Sequence, residues 1–89
     1  MSNVNFDIVD NGSYYWIAVD REDLGVDNGH AEKELELKKH ILSWYAAGPS
    51  GVAMTIVISQ PGAPPLKFTC RIPAGEGHAA GKKPFMVVS

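Results

Sequence analysis

His30 to Ala47, HAEKELELKKHILSWYAA, is the stretch whose reading decides the fold of this chain. Its apolar residues follow a helical period: Ala31, Leu35, Leu42 and Ala46 form one stripe, which Leu37, Ile41, Trp44 and Tyr45 broaden. Asp27 or Asn28 can cap the amino end, Glu32 and Glu34 suit the first turns, and Gly48-Pro49 stops the run. Glu34 and Lys38, four apart, fall inside that broad apolar arc, where they can pair. The pattern predicts one helix from about residue 30 to residue 47.

Strand signals lie on both sides of it. VNFDIVD and SYYWIAVD flank Asn11-Gly12, the dipeptide that best fits a two-residue hairpin turn because both residues must take positive φ. That turn sets Ile8 opposite Tyr15, Phe6 opposite Ile17 and Val4 opposite Val19 on one apolar face. The other face then carries Val9, Tyr14, Trp16 and Ala18. Beyond the helix, Val52–Ser59 reads as a strand apolar on both faces. Leu66–Ile72 alternates, with Leu66, Phe68, Cys70 and Ile72 inward and Lys67, Thr69 and Arg71 outward. QPGAPP between them is a turn, and FMVVS is a last short strand. The expected order is ββαββ(β), class α+β: an antiparallel sheet of four to five strands with one helix packed on one face.

The chain has 89 residues, which fits a single domain spanning 1–89. Its 45% hydrophobic and 20% charged content is ordinary for a folded protein. No apolar run reaches membrane-spanning length, and MSNVNFDIVD has neither a basic start nor an apolar signal core. The lone cysteine, Cys70, has no internal partner for a disulfide, which points to a reducing compartment, and the expected location is the cytoplasm. The net charge of −2 is divided unevenly: residues 1–36 carry −7 and residues 37–89 carry +5. Such a split can steer a charged partner or be neutralised when the two halves fold together.

The glycine-rich run PAGEGHAAGKKPF, Pro73–Phe85, imitates a phosphate loop and fails the test. A P-loop needs a Gly where Glu76 stands and a Ser or Thr where Lys83 stands, and Pro84 blocks the helix that must follow. As a dinucleotide fingerprint, Gly75-Glu76-Gly77 with Ala80 lacks the βαβ setting. Gly75–Lys83 is therefore expected to be an exposed irregular loop with solvated lysines. The acidic connector Asp20–Gly29 places Asp20 and Glu22 as in a calcium loop, but Leu24 and Ala31 occupy two ligand positions. His30, His40 and His78 do not cluster, and Cys70 points toward the core. No catalytic, metal or cofactor site is expected, and the chain reads as a non-enzyme.

What remains is a surface. Val9, Tyr14, Trp16 and Val57 are expected on the sheet face away from the helix, bordered by Lys67 and Arg71, while Asp20, Glu22, Asp23 and Asp27 form an acidic connector. Tyr, Trp and Arg are what interfaces concentrate. The expected function is a small protein-binding module of the inhibitor, adaptor or immunity type, its partner another protein or a second copy in a homodimer. The alternative is a nucleic-acid binder in which Tyr14 and Trp16 stack bases while Lys67, Arg71, Lys82 and Lys83 meet phosphates. A pI near 5.8 ranks it second.

Overall fold

The computed structural model describes residues 1–10 and 14–88. It is all-β. Eight strands run in order: β1 Ser2–Asp10, β2 Tyr14–Val19, β3 Glu22–Asp23, β4 His30–Leu35, β5 Lys39–Ala47, β6 Ala53–Ser59, β7 Leu66–Arg71 and β8 His78–Met86. They pair antiparallel into two four-stranded sheets, ordered β4-β1-β6-β7 and β3-β2-β5-β8. The two sheets stack with their apolar faces together, so this is a β-sandwich.

The expected helix at 30–47 is overturned, and the α+β class with it. Residues 30–35 form the edge strand β4 of one sheet, and residues 39–47 form a central strand, β5, of the other. The reason lies in the apolar spacing. Ala31 and Leu35 are four apart, as are Leu42 and Ala46, and a separation of four keeps two residues on one face of a strand as well as of a helix. All four residues of the supposed helical stripe are buried, but each pair faces the core from its own sheet. Local helix preference yields to burial because each half makes a full antiparallel ladder with its neighbours.

The hairpin expected between the first two strands is also overturned. β1 lies between β4 and β6, and β2 lies between β3 and β5, so the two belong to opposite sheets. Residues 11–13, with the Asn11-Gly12 turn itself, lie outside the described residues. The face assignment nonetheless agrees with the structure: Val4, Phe6, Ile8, Ile17 and Val19 are all core, meeting across the sandwich instead of side by side. A second Asn-Gly makes a tight turn elsewhere. Asn28 and Gly29 both hold positive φ, 52° and 75°, while Asp27 and His30 exchange backbone hydrogen bonds of 3.0 Å. That geometry is the type I′ turn the dipeptide favours. Asp20-Arg21, at 51° and 74°, turns β2 into β3 in the same way.

Met54, Ile56 and Ile58 of β6 complete the core from one sheet; Phe85 and Val87 do so from the other, with Phe85 edge-on to Phe6 at 6.0 Å. Leu66, Phe68 and Cys70 of β7 point inward as expected, but β7 is a sheet edge and leaves them half-buried. The supposed glycine loop is the largest correction after the helix. Of Gly75–Lys83 only 75–77 is irregular; His78–Met86 is a nine-residue strand paired along the whole of β5. Its small residues fit there because Trp44 lies over Gly81, where any Cβ would strike the indole ring. Among the described residues no helix is long and apolar enough to cross a membrane.

Gly29 gives a direct test of this topology. Its φ of 75° suits glycine, and a Cβ there would sit 2.7 Å from the Ile8 carbonyl oxygen. Gly29→Ala should destabilise the fold by about 2 kcal/mol or more in urea denaturation, whereas alanine at this site within a helix start would be neutral or stabilising.

Candidate functional site

The strand order sorts the expected surface residues onto two opposite faces. Val9, Val57, Lys67 and Arg71 lie on the outer face of the β4-β1-β6-β7 sheet. Tyr14 and Trp16 lie on the outer face of the other sheet, with both sheets between them and the first group. Two packed sheets stand about 10 Å apart. The single face expected from the hairpin register is therefore two.

The first of these faces is polar and largely self-satisfied. Asn3, Asn5 and Asp7 of β1 sit beside His30, Glu32 and Glu34 of β4, and Thr55 of β6 bonds Thr69 of β7 at 3.0 Å. Arg71 donates to the Gly51 carbonyl at 2.8 Å. His30 bonds Asp7 through Nδ1 at 2.8 Å and Glu32 through Nε2 at 3.4 Å.

The second face is different. Trp16 stands directly across from Tyr45 of β5, and Tyr45 stacks on His78 of β8 with centroids 6.0 Å apart and planes at 19°. Tyr14 is 85% exposed, Trp16 46% and Tyr45 44%. Ala18, Ser43 and Lys82 make the next row, which begins at Asp23 of β3. Tyr14, Trp16, Asp23, Gly25 and Val26 border an open groove of about 450 Å³ at the β2–β3 end. Tyr45 and His78 escaped the sequence reading because one was assigned to the helix stripe and the other to a loop. Read as a strand, 39–47 turns Leu42, Trp44 and Ala46 to one side and Tyr45 to the other, but its sequence does not alternate strictly enough to announce that reading.

The acidic connector does not act as one surface. Asp20 sits in the β2–β3 turn and accepts from the Ile41 amide at 2.9 Å and from His40 Nδ1. Burial alone would push its carboxyl up, but those bonds, with the nearby His40 and Lys38 charges, hold it below the usual 3.8. Glu22 is paired with Lys33 at 2.7 Å, tying β3 to β4 across the edge of the sandwich. Asp27 lies in the turn before β4. Asp23 joins the aromatic face, where its carboxylate accepts from the Gly25 amide at 3.1 Å, while Asp20 borders a second hollow of the same face with Ser43 and Lys82.

The remaining reactive side chains are engaged structurally. His40 is 3% exposed, with Nδ1 on Asp20 and Nε2 donating to the Glu36 carbonyl at 2.8 Å, so neither nitrogen is available to a substrate. Burial pushes the Cys70 thiol up to about 11, which keeps it protonated near neutral pH and a poor nucleophile. The possible calcium-loop positions are spread over two turns and a strand, and the described residues hold no cluster of three metal-ligating side chains. Lys83 points inward, over Phe68 at 5.6 Å, so the four cations of the nucleic-acid reading point in three directions. No family model, curated protein or solved structure matches this chain.

His30 supplies a pH test of the polar face. The Asp7 bond, followed by the Glu32 bond, raises its pKa above the ordinary 6.5 despite slight desolvation. A raised folded pKa means the pair stabilises the fold below about pH 6.5 and ceases to do so as pH rises through the folded value. NMR titration should place His30 above an ordinary histidine, and Asp7→Asn should bring it down. A His30 titration untouched by Asp7→Asn would remove this pairing.

Proposed function

We propose that this chain is a small non-catalytic protein-binding module, of the inhibitor or adaptor type, that docks through the outer face of the β3-β2-β5-β8 sheet. One observation supports the reading above others. Of the eight large hydrophobic residues exposed among the described residues, Tyr14, Trp16, Tyr45 and Met86 lie on this face, whereas Val9 alone lies on the opposite sheet face. Scattered exposed apolar groups are normal; four on one face of a domain this small mark an interaction surface. Trp and Tyr suit that role because they carry large apolar area with a polar tip and few rotatable bonds.

Trp16 is the centre of the surface, with Tyr45 beside it and Asp23 at the margin. Burial of an aromatic side chain recovers about 25 cal/mol for each Å² removed from water. Nucleic-acid binding has less support, since Tyr14 and Trp16 face away from Lys67 and Arg71. With a single cysteine and no internal disulfide to maintain, the cytoplasm is the proposed compartment.

Trp16→Ala tests the reading. Its side chain points out of the sandwich, so the variant should keep its strand circular dichroism and cooperative unfolding. Association with a partner captured from a lysate should weaken by about 2 kcal/mol, some 30-fold, while Val9→Ala on the other face should change nothing. Loss of folding with Trp16→Ala, or equal loss of capture with Val9→Ala, would reject this face.

A further inference from the structure

The docking face is self-complementary, and we infer that its partner is a second copy of this chain, packed face to face about a two-fold axis. The inference rests on the docking reading above and adds the identity of the partner. Its basis is the row Asp23–Ala18–Ser43–Lys82, which crosses all four strands from β3 to β8. Neighbouring strands lie about 4.8 Å apart, so the acid and the base stand about 14 Å apart at opposite margins of the face. Neither Asp23 nor Lys82 has a charged partner among the described residues.

A two-fold axis parallel to the strands, midway between β2 and β5, superposes β2 on β5 and β3 on β8 of the other copy. It then brings Asp23 of each copy against Lys82 of its mate, and Trp16 of each against Tyr45 of its mate. Two identical ion pairs flank two identical aromatic contacts, the isologous pattern a cyclic dimer requires.

Edge pairing is the competing mode, and the sequence of β8 opposes it. Lys82 and Lys83 put two like charges on that edge, Pro84 offers no N–H, and Gln60 covers its end by bonding the Met86 carbonyl at 2.7 Å and the Val88 amide at 2.9 Å. Charge and backbone chemistry thus direct association away from this edge and toward the face.

Analytical ultracentrifugation of the whole chain from about 5 µM to 1 mM decides the matter, with circular dichroism confirming that each variant is folded. The expected mass rises with concentration from 9.6 kDa to twice that value. Asp23→Lys and Lys82→Asp should each weaken the dimer at least tenfold, through like charges placed opposite one another. An equimolar mixture of the two variants should regain it, because each then supplies the charge its mate lacks; Lys67→Asp on the other sheet should have no effect. A monomer at every concentration overturns the second-copy inference and leaves the face for a different protein, where Trp16→Ala still tests it. A dimer abolished by Trp16→Ala but indifferent to both charge reversals overturns this axis while retaining the face. A dimer indifferent to all three substitutions overturns both.

Discussion

The sandwich depends on one crossing, at Glu36–Lys38, where the chain leaves the edge of one sheet and enters the centre of the other. The three residues shift the inward set from Leu35 of one strand to His40 of the next, and they are held by polar bonds around His40. Its Nε2 donates to the Glu36 carbonyl, its Nδ1 meets Asp20 in the β2–β3 turn, and its ring lies 5.8 Å from Phe85. The Lys38 amide bonds Glu36, and the Val87 amide bonds Lys38, so β8 is fastened to the same corner. A buried imidazole without such partners would be costly. Here it joins two turns and the end of the last strand.

From that corner the division between core and surface follows by alternation. Once β5 enters with His40 inward, Leu42, Trp44 and Ala46 must also face the core and Tyr45 must face out. Trp44 then lies over Gly81, and the need for a residue without a side chain there explains a glycine in a nine-residue strand. Tyr45 meets Trp16 and His78 on the outside. One register therefore produces both a core contact and the aromatic surface.

The two outer faces then acquire different character from the residues left over. The β4-β1-β6-β7 face pairs its acids, histidine and threonines among themselves. The β3-β2-β5-β8 face keeps its aromatic groups in water and carries Asp23 and Lys82 at opposite margins. Folding does not keep the acidic first half apart: Asp20 accepts from His40 and the Ile41 amide, and Asp23 shares a sheet face with Lys82, so charge asymmetry along the chain is not charge asymmetry in space.

Period-two alternation was enough to assign the inward residues of the first two strands and of β7, and the outward direction of Tyr14 and Trp16. Those assignments rest on side-chain period alone, which each strand carries within itself. The partner of each strand is a different kind of fact. Asn11-Gly12 favoured one hairpin, yet β1 and β2 each find two other neighbours, because pairing is decided by how many apolar faces can be buried at once. The stretch 30–47 shows the limit most plainly. Separations of four satisfy a helix and a strand equally, and the separation of seven between Leu35 and Leu42 fits two helical turns as well as two strands joined by a connection that changes parity. Only a second sheet, able to receive Leu42 and Ala46 while the first receives Ala31 and Leu35, separates the two readings, and it comes from residues distant in sequence.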